Sequence, residues 1–279
     1  MDEQNINSEP QENKDTEIQN REVQSEESTE ESLPVDEESF SVGDGIVGVF
    51  TSPKETFFSL SKMPKKTYWV IPLLIVIVVG LLSNFLRMND NELTSKMQTM
   101  SAKKIQEQMA DKVKKGEITQ EQANQQMEQA LKFSDPKNAF FKIISYVSII
   151  FRVILFSFLL TSLFAFIILK ILQGEFNYTN ILNVIAFALL IAAAADIVNA
   201  VLSILMGDFK SISLGLLFKP EAIGDKLYNF LNTIDVFTIW YTAVLSIGLA
   251  AISKLKTLPI FVIMLVIFIG LTAFFTFAF

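Results

Sequence analysis

Five apolar runs, each close to the length of a helix that crosses a bilayer, leave this chain almost no soluble fold to adopt. Residues 69–86 are 18 without a charge, 143–172 are 30 interrupted by Arg152 and Lys170, 181–206 are 26 containing only Asp196, 236–252 are 17, and 259–279 are 21. A hydrocarbon core of roughly 30 Å takes about 20 residues of helix. One such helix can hide in a soluble core, but five cannot, because too few polar elements remain to cover them. The fourth run is the shortest, and Asp235, Trp240 and Tyr241 mark it as a span that starts at a membrane interface. The expectation is an all-α polytopic bundle of five transmembrane helices in contact with a lipid bilayer.

Composition narrows the chemistry. The chain has no His and no Cys, so it lacks a thiolate or imidazole metal ligand, a thiol nucleophile and a disulfide framework. It also lacks a Walker loop, a dinucleotide fingerprint and a zinc spacing. No catalytic set, cofactor or metal is expected. Nucleic acid is disfavoured as a partner, since the ten basic residues between Arg87 and Lys142 are interspersed with eight acidic ones.

Charge divides the chain in two. Through Gly45 there are 15 acidic and 2 basic side chains, and the remainder holds 15 acidic and 21 basic. Residues 1–44 scatter their few apolar side chains without helical or strand period, so the composition predicts a disordered acidic tail, retained because it lacks the basic start and apolar core of a signal peptide. It is read as a solubilising tail or as an arm for a basic protein partner. Residues 45–279 form the membrane domain.

Three polar or mixed segments remain. Val49, Phe50, Phe57, Phe58 and Leu60, beside Lys54, Lys62, Lys65 and Lys66, suggest a short helix lying in the headgroup plane. The insertion 87–142 predicts a helical hairpin, a short coiled coil whose first helix carries Leu93, Met97, Met100, Ile105, Met109 and Val113 on one stripe. It turns at Gly116, and Thr119 and Gln122 restart it as a capping box. Self-packing of the hairpin is favoured over a Met-rich groove for a protein partner. The segment 207–234 is too polar to span and too apolar to float, which suggests interfacial or re-entrant pieces.

The candidate polar site lies inside the spans. Arg152 and Asp196 are ionisable groups within apolar runs, and such groups usually face the bundle interior with a partner. Counting outward from the turn at 174–180 leaves them about 6 residues, roughly 9 Å, out of level. Asn199 is nearly level with Arg152, so a cluster of Arg152, Asp196 and Asn199 is expected. Its bland role is structural glue between helices; its alternative role is a pathway in a small transporter or channel component.

Asp235-Val236-Phe237-Thr238-Ile239-Trp240, followed by Leu245-Ser246-Ile247-Gly248-Leu249-Ala250-Ala251, resembles the penultimate-helix pattern of prokaryotic Yip1-domain membrane proteins. Phe50-Thr51-Ser52-Pro53, with Thr56 and Phe57 leading to Pro72, is similar to the opening of that domain. The resemblance implies Pro53, Phe57, Asp235, Phe237, Trp240 and Gly248 as family-pattern residues, five helices, and a non-enzymatic scaffold or organiser in a bacterial inner membrane. Eukaryotic members bind Rab-type GTPases, but the Asp-Leu-Tyr-Gly-Pro stretch is absent here, so GTPase binding is not carried over. Loop charges counted whole favour an external N-terminus, while four basic residues on each side of the first span are a tie. The family's cytoplasmic N-terminus breaks it.

Overall fold

The computed structural model describes residues 40–62, 67–209 and 211–278. The acidic tail through Ser39, together with Lys65 and Lys66, lies outside the described residues. Among those described the chain is helical, its one strand-like contact being an isolated bridge between Ser213 and Asp235.

Five helices are long and apolar enough to cross a membrane. They are α3 (Val70–Asn89), α6 (Ala139–Ile171), α7 (Tyr178–Met206), α9 (Val236–Ser253) and α10 (Thr257–Ala278). The remaining helices are α1 (Val42–Thr51), α2 (Pro53–Lys62), the insertion pair α4 (Asn91–Lys114) and α5 (Gln120–Phe133), and α8 (Asp225–Thr233). This is a multi-pass membrane protein whose described chain alternates between two ends. One end holds α1, α2 and the turns at 172–177 and 254–256; the other holds the insertion and the segment 207–235.

Helix α7 is the axis. Two thirds of its most apolar window is buried, against 6% for α10, and Ile181, Val184, Ile185, Phe187 and Ile191 have no exposed surface. Its packing is helped by small residues, with Ala186, Ala188, Ala193 and Ala195 all buried, which is how helices approach closely when lipid supplies no hydrophobic drive. The burial gradient follows: α7 is apolar on all sides because protein surrounds it, and α10 is apolar on all sides because lipid does.

The insertion is the expected hairpin. Thr119 Oγ1 accepts from the Gln122 amide at 3.2 Å, and the Gln122 side chain accepts from the Thr119 amide at 2.9 Å. Gly116 turns the chain at a φ of +73°, where a Cβ is unfavourable. Leu93 and Ala123 are buried, whereas Met100, expected on the stripe, is 60% exposed. At the hairpin's base Lys96 Nζ pairs with Asp208 at 3.1 Å and donates to the Gly207 carbonyl at 3.1 Å.

The predicted headgroup-plane helix is two helices instead. Pro53 forces a break at Ser52, and α1 and α2 fold back on each other against α7 and α9. Val49, Phe57 and Leu60 turn inward and are buried, while Phe50 and Phe58 turn outward. The boundary of the tail moves too. Tyr68 donates from its hydroxyl to the Phe40 carbonyl at 3.1 Å, and the Phe40 ring lies 5.2 Å from Tyr68 and 5.9 Å from Phe187. Residues 40–44 therefore belong to the folded domain.

The segment 207–234 contains a 3-10 turn (Leu214–Leu217), one helical turn (Pro220–Ile223) and α8. It is tied to the start of α9 by the Ser213–Asp235 bridge, and to its own α8 by Ser213 Oγ donating to Asn232 Oδ1 at 3.0 Å.

Candidate functional site

Asp196 projects from the later part of α7 toward α3, and its partner is Arg87. The Arg87 guanidinium meets Asp196 Oδ1 at 2.8 Å and donates to the Asp196 carbonyl at 3.1 Å. The pairing expected from the sequence, Arg152 with Asp196, is thus replaced. The reason is helical direction. Arg87 lies in the last turn of α3, and a helical side chain leans toward the N-terminus of its own helix, so this one reaches back into the bundle. The apolar run ends at Leu86, which made Arg87 look like the first residue of a loop.

The three residues of the expected cluster nevertheless share a cavity. Arg152, Asp196 and Asn199 line a space of about 320 Å3 between α3, α6, α7 and α9, along with Ser157, Asp235 and Tyr241. The Arg152 side chain makes no ion pair or hydrogen bond among the described residues. Asn199 Oδ1 is buried without a partner. Asp235 is committed, accepting from the Thr238 amide at 2.6 Å as the N-cap of α9, where the helix dipole favours a carboxylate.

A second space of about 400 Å3 lies on the hairpin side and is lined by Asn84, Arg87, Ser145, Arg152 and Asp196. Ser145 Oγ donates to Asn84 Oδ1 at 3.2 Å, and Asn84 Nδ2 is buried without a partner. Arg152 and Asp196 stand between the two spaces and line both.

Arg152 also opens a π-helical stretch, Arg152–Leu160. In an α-helix a residue five positions on is turned away by more than a third of a turn. The wider π winding brings Ser157 into the cavity that holds Arg152. No sequence signal marked this stretch. Beyond it a third, largely apolar crevice of about 310 Å3 separates α6 from α9 and α10.

The family-pattern residues fall into two places. Pro53 starts α2, the Phe57 ring is fully buried, and a Cβ at Gly248 would lie 2.5 Å from Val184 Cγ1 and 3.0 Å from the Phe57 ring. Only glycine lets α2 seat against α9 there. Trp240 faces Phe50 with ring centroids 6.0 Å apart. At the other end of α9, Asp235 and Phe237 line the Arg152 cavity.

Ionisable groups outside the spans behave as paired surface charges. At the turn between α6 and α7, Glu175 accepts from Lys254 Nζ at 2.6 Å. That bond and the attraction behind it hold Glu175 below its ordinary value of 4.5 and raise Lys254 above 10.5. The described residues contain no group of three or more His, Cys, Asp or Glu placed to hold a metal ion.

A family model described as Yip1 domain matches residues 47–279. No curated protein matches the chain, and no solved structure does.

Proposed function

We propose that this chain, which belongs to the Yip1-domain family, is a non-enzymatic organiser of the membrane that it spans. The observation that carries the reading is an asymmetry between the two ends of the bundle. At the N-terminal end, α1 and α2 pack against α7 and α9, with Val49, Phe57 and Leu60 inside. At the opposite end, α8 packs against α10 rather than in the centre of the bundle.

Two helices packed beside α7 and α9 at one end add cross-section to one leaflet. The outward face of the α1–α2 pair supports a wedge at headgroup depth: Val47 and Phe58 are more than half exposed, and Lys62 Nζ sits 4.3 Å from the centre of the Phe58 ring. Mixed apolar and cationic surface of this kind suits the boundary between acyl chains and headgroups.

The reading assigns the N-terminal end to the cytoplasm. Lys54, Lys62, Lys254 and Lys256 collect at that end, and the insertion's charges nearly cancel. The resemblance to prokaryotic members supports a bacterial inner membrane as the site. The acidic tail and the α4–α5 hairpin are then the surfaces offered to protein partners on the two sides.

The test is curvature sorting. The full chain is reconstituted into liposomes of mixed diameter, with orientation read by protease, and protein density per unit area is measured vesicle by vesicle. Molecules with the N-terminal end outward should be enriched on the smallest vesicles. A density independent of diameter in both orientations would remove the wedge reading.

A further inference from the structure

We propose that the Arg152 cavity and the adjacent crevice together bind one glycerophospholipid, with the phosphodiester on Arg152 and an acyl chain between α6, α9 and α10. Four observations lead there. Arg152 stands inside a membrane span without a counter-charge among the described residues, since Arg87 takes Asp196 at 2.8 Å and Asp235 caps α9. A guanidinium at such a position is costly and is normally matched by an anion. Its planar fork fits a phosphate with two parallel hydrogen bonds.

The cavity also adjoins apolar space. Thr238 and Tyr241 line both the Arg152 cavity and the crevice, so a polar and an apolar part meet across these two side chains. Phe156, Leu160, Phe164, Met264, Phe268 and Leu271 make the crevice walls. At about 320 and 310 Å3, each part is in the usual size range of a ligand pocket. An inorganic phosphate would occupy only some of the first part and leave the second empty.

The π-helical stretch connects the two parts physically, because Arg152 and Ser157 face the cavity while Phe156 and Leu160 face the crevice. Finally, the Asp196 and Asp235 carboxylates line the polar part beside Arg152, each engaged with its partner through Oδ1 alone. Acceptors opposite a lone cation suit a headgroup that carries an amine beyond its phosphate. The geometry therefore favours phosphatidylethanolamine over phosphatidylglycerol.

The test is native mass spectrometry of the full chain in detergent, titrated with phosphatidylethanolamine, phosphatidylglycerol and tail-free phosphoethanolamine. Arg152→Gln should weaken phosphatidylethanolamine binding about ten- to a hundredfold, the loss of a charge-assisted contact. Leu271→Trp, which fills the crevice and leaves the polar part intact, should weaken it comparably, and a melting curve shows that each variant is folded. Phosphoethanolamine should not bind at millimolar concentration. Parent-like affinity in a folded Arg152→Gln variant would overturn the site. Phosphoethanolamine binding as tightly as the lipid would replace the lipid with a free phosphate compound. Equal binding of phosphatidylglycerol would overturn the headgroup assignment. Failure of Leu271→Trp to weaken binding would overturn the acyl-chain position.

Discussion

Replacing Asp196 by Asn removes one charge from the Arg87–Asp196 pair and is expected to destabilise the bundle measurably. The magnitude follows from the pair's position. Its N···O distance is 2.8 Å and its side chains are 21% and 27% exposed, so it lies between a surface pair, worth under about 1 kcal/mol, and a buried one, whose breaking costs about 3–5 kcal/mol. About 2 kcal/mol is the expected loss for Asp196→Asn, or about 4–8 °C in melting temperature for a domain of this size. The backbone contact from Arg87 to the Asp196 carbonyl survives the substitution and limits the damage. Arg87→Leu with Asp196→Leu should recover most of the loss, because apolar replacement of both partners leaves no charge stranded. The assay is thermal unfolding of the full chain in one detergent, arranged as two double-mutant cycles, Arg87 with Asp196 and Arg152 with Asp196. The first should show coupling of about 1–2 kcal/mol and the second less than about 0.5 kcal/mol. Coupling found only in the Arg152 cycle, or in neither, would refute the assignment of Arg87 as the structural partner.

Gly248→Leu should displace α2 from α9, because the new side chain would occupy the space of Val184 and the Phe57 ring; a loss of about 1–3 kcal/mol is expected, read by melting, together with loss of curvature sorting. Deleting residues 1–39 should leave melting unchanged, whereas deleting 1–44 should lower it, since the second removes the Phe40 contacts with Tyr68 and Phe187. Glu175→Gln should remove a small stabilisation whose pH window has a definite sign. Glu175 is held low, so its contribution is present above its ordinary 4.5 and lost as pH falls through its lower folded value. Lys254 is raised, so its share persists up to 10.5 and is lost only as pH rises through its higher folded value. The variant and the parent should therefore differ at neutral pH and converge in acid. Protease added to sealed, uniformly oriented vesicles should cut the N-terminal tail and the α4–α5 hairpin from opposite sides; cutting of both from one side would contradict five crossings.

What the sequence made legible was what depends on local pattern. Apolar run length located the spans, and the Thr119–Gln122 capping box was readable residue by residue because both halves of it lie within one turn. That Arg152, Asp196 and Asn199 line one cavity was legible only as a rough level along two joined helices. The pairing inside it was not, because which of two guanidiniums reaches Asp196 depends on side-chain direction and on the rotation of α3 about its axis. The break of 42–62 into two packed helices depended on tertiary contacts. Pro53 announced a helix start, but only the seat at Gly248 shows that the start belongs to a second helix with its own buried face.

The family-pattern residues gain a physical reason from α9. An 18-residue helix whose most apolar window is half buried must satisfy both ends of the bundle within five turns. Near its start, Asp235 supplies the cap and Phe237 a cavity wall; near its finish, Gly248 supplies the seat for Phe57. Trp240 stands between them, stacked on Phe237 at 6.4 Å and facing Phe50 at 6.0 Å. The ring therefore touches both the polar cavity's wall and the α1–α2 pair, so the occupant of one end and the packing of the other bear on the same side chain. That shared contact is the physical basis on which filling of the Arg152 cavity can be felt at the wedge, through displacement of one rigid aromatic ring at the edge of the bundle.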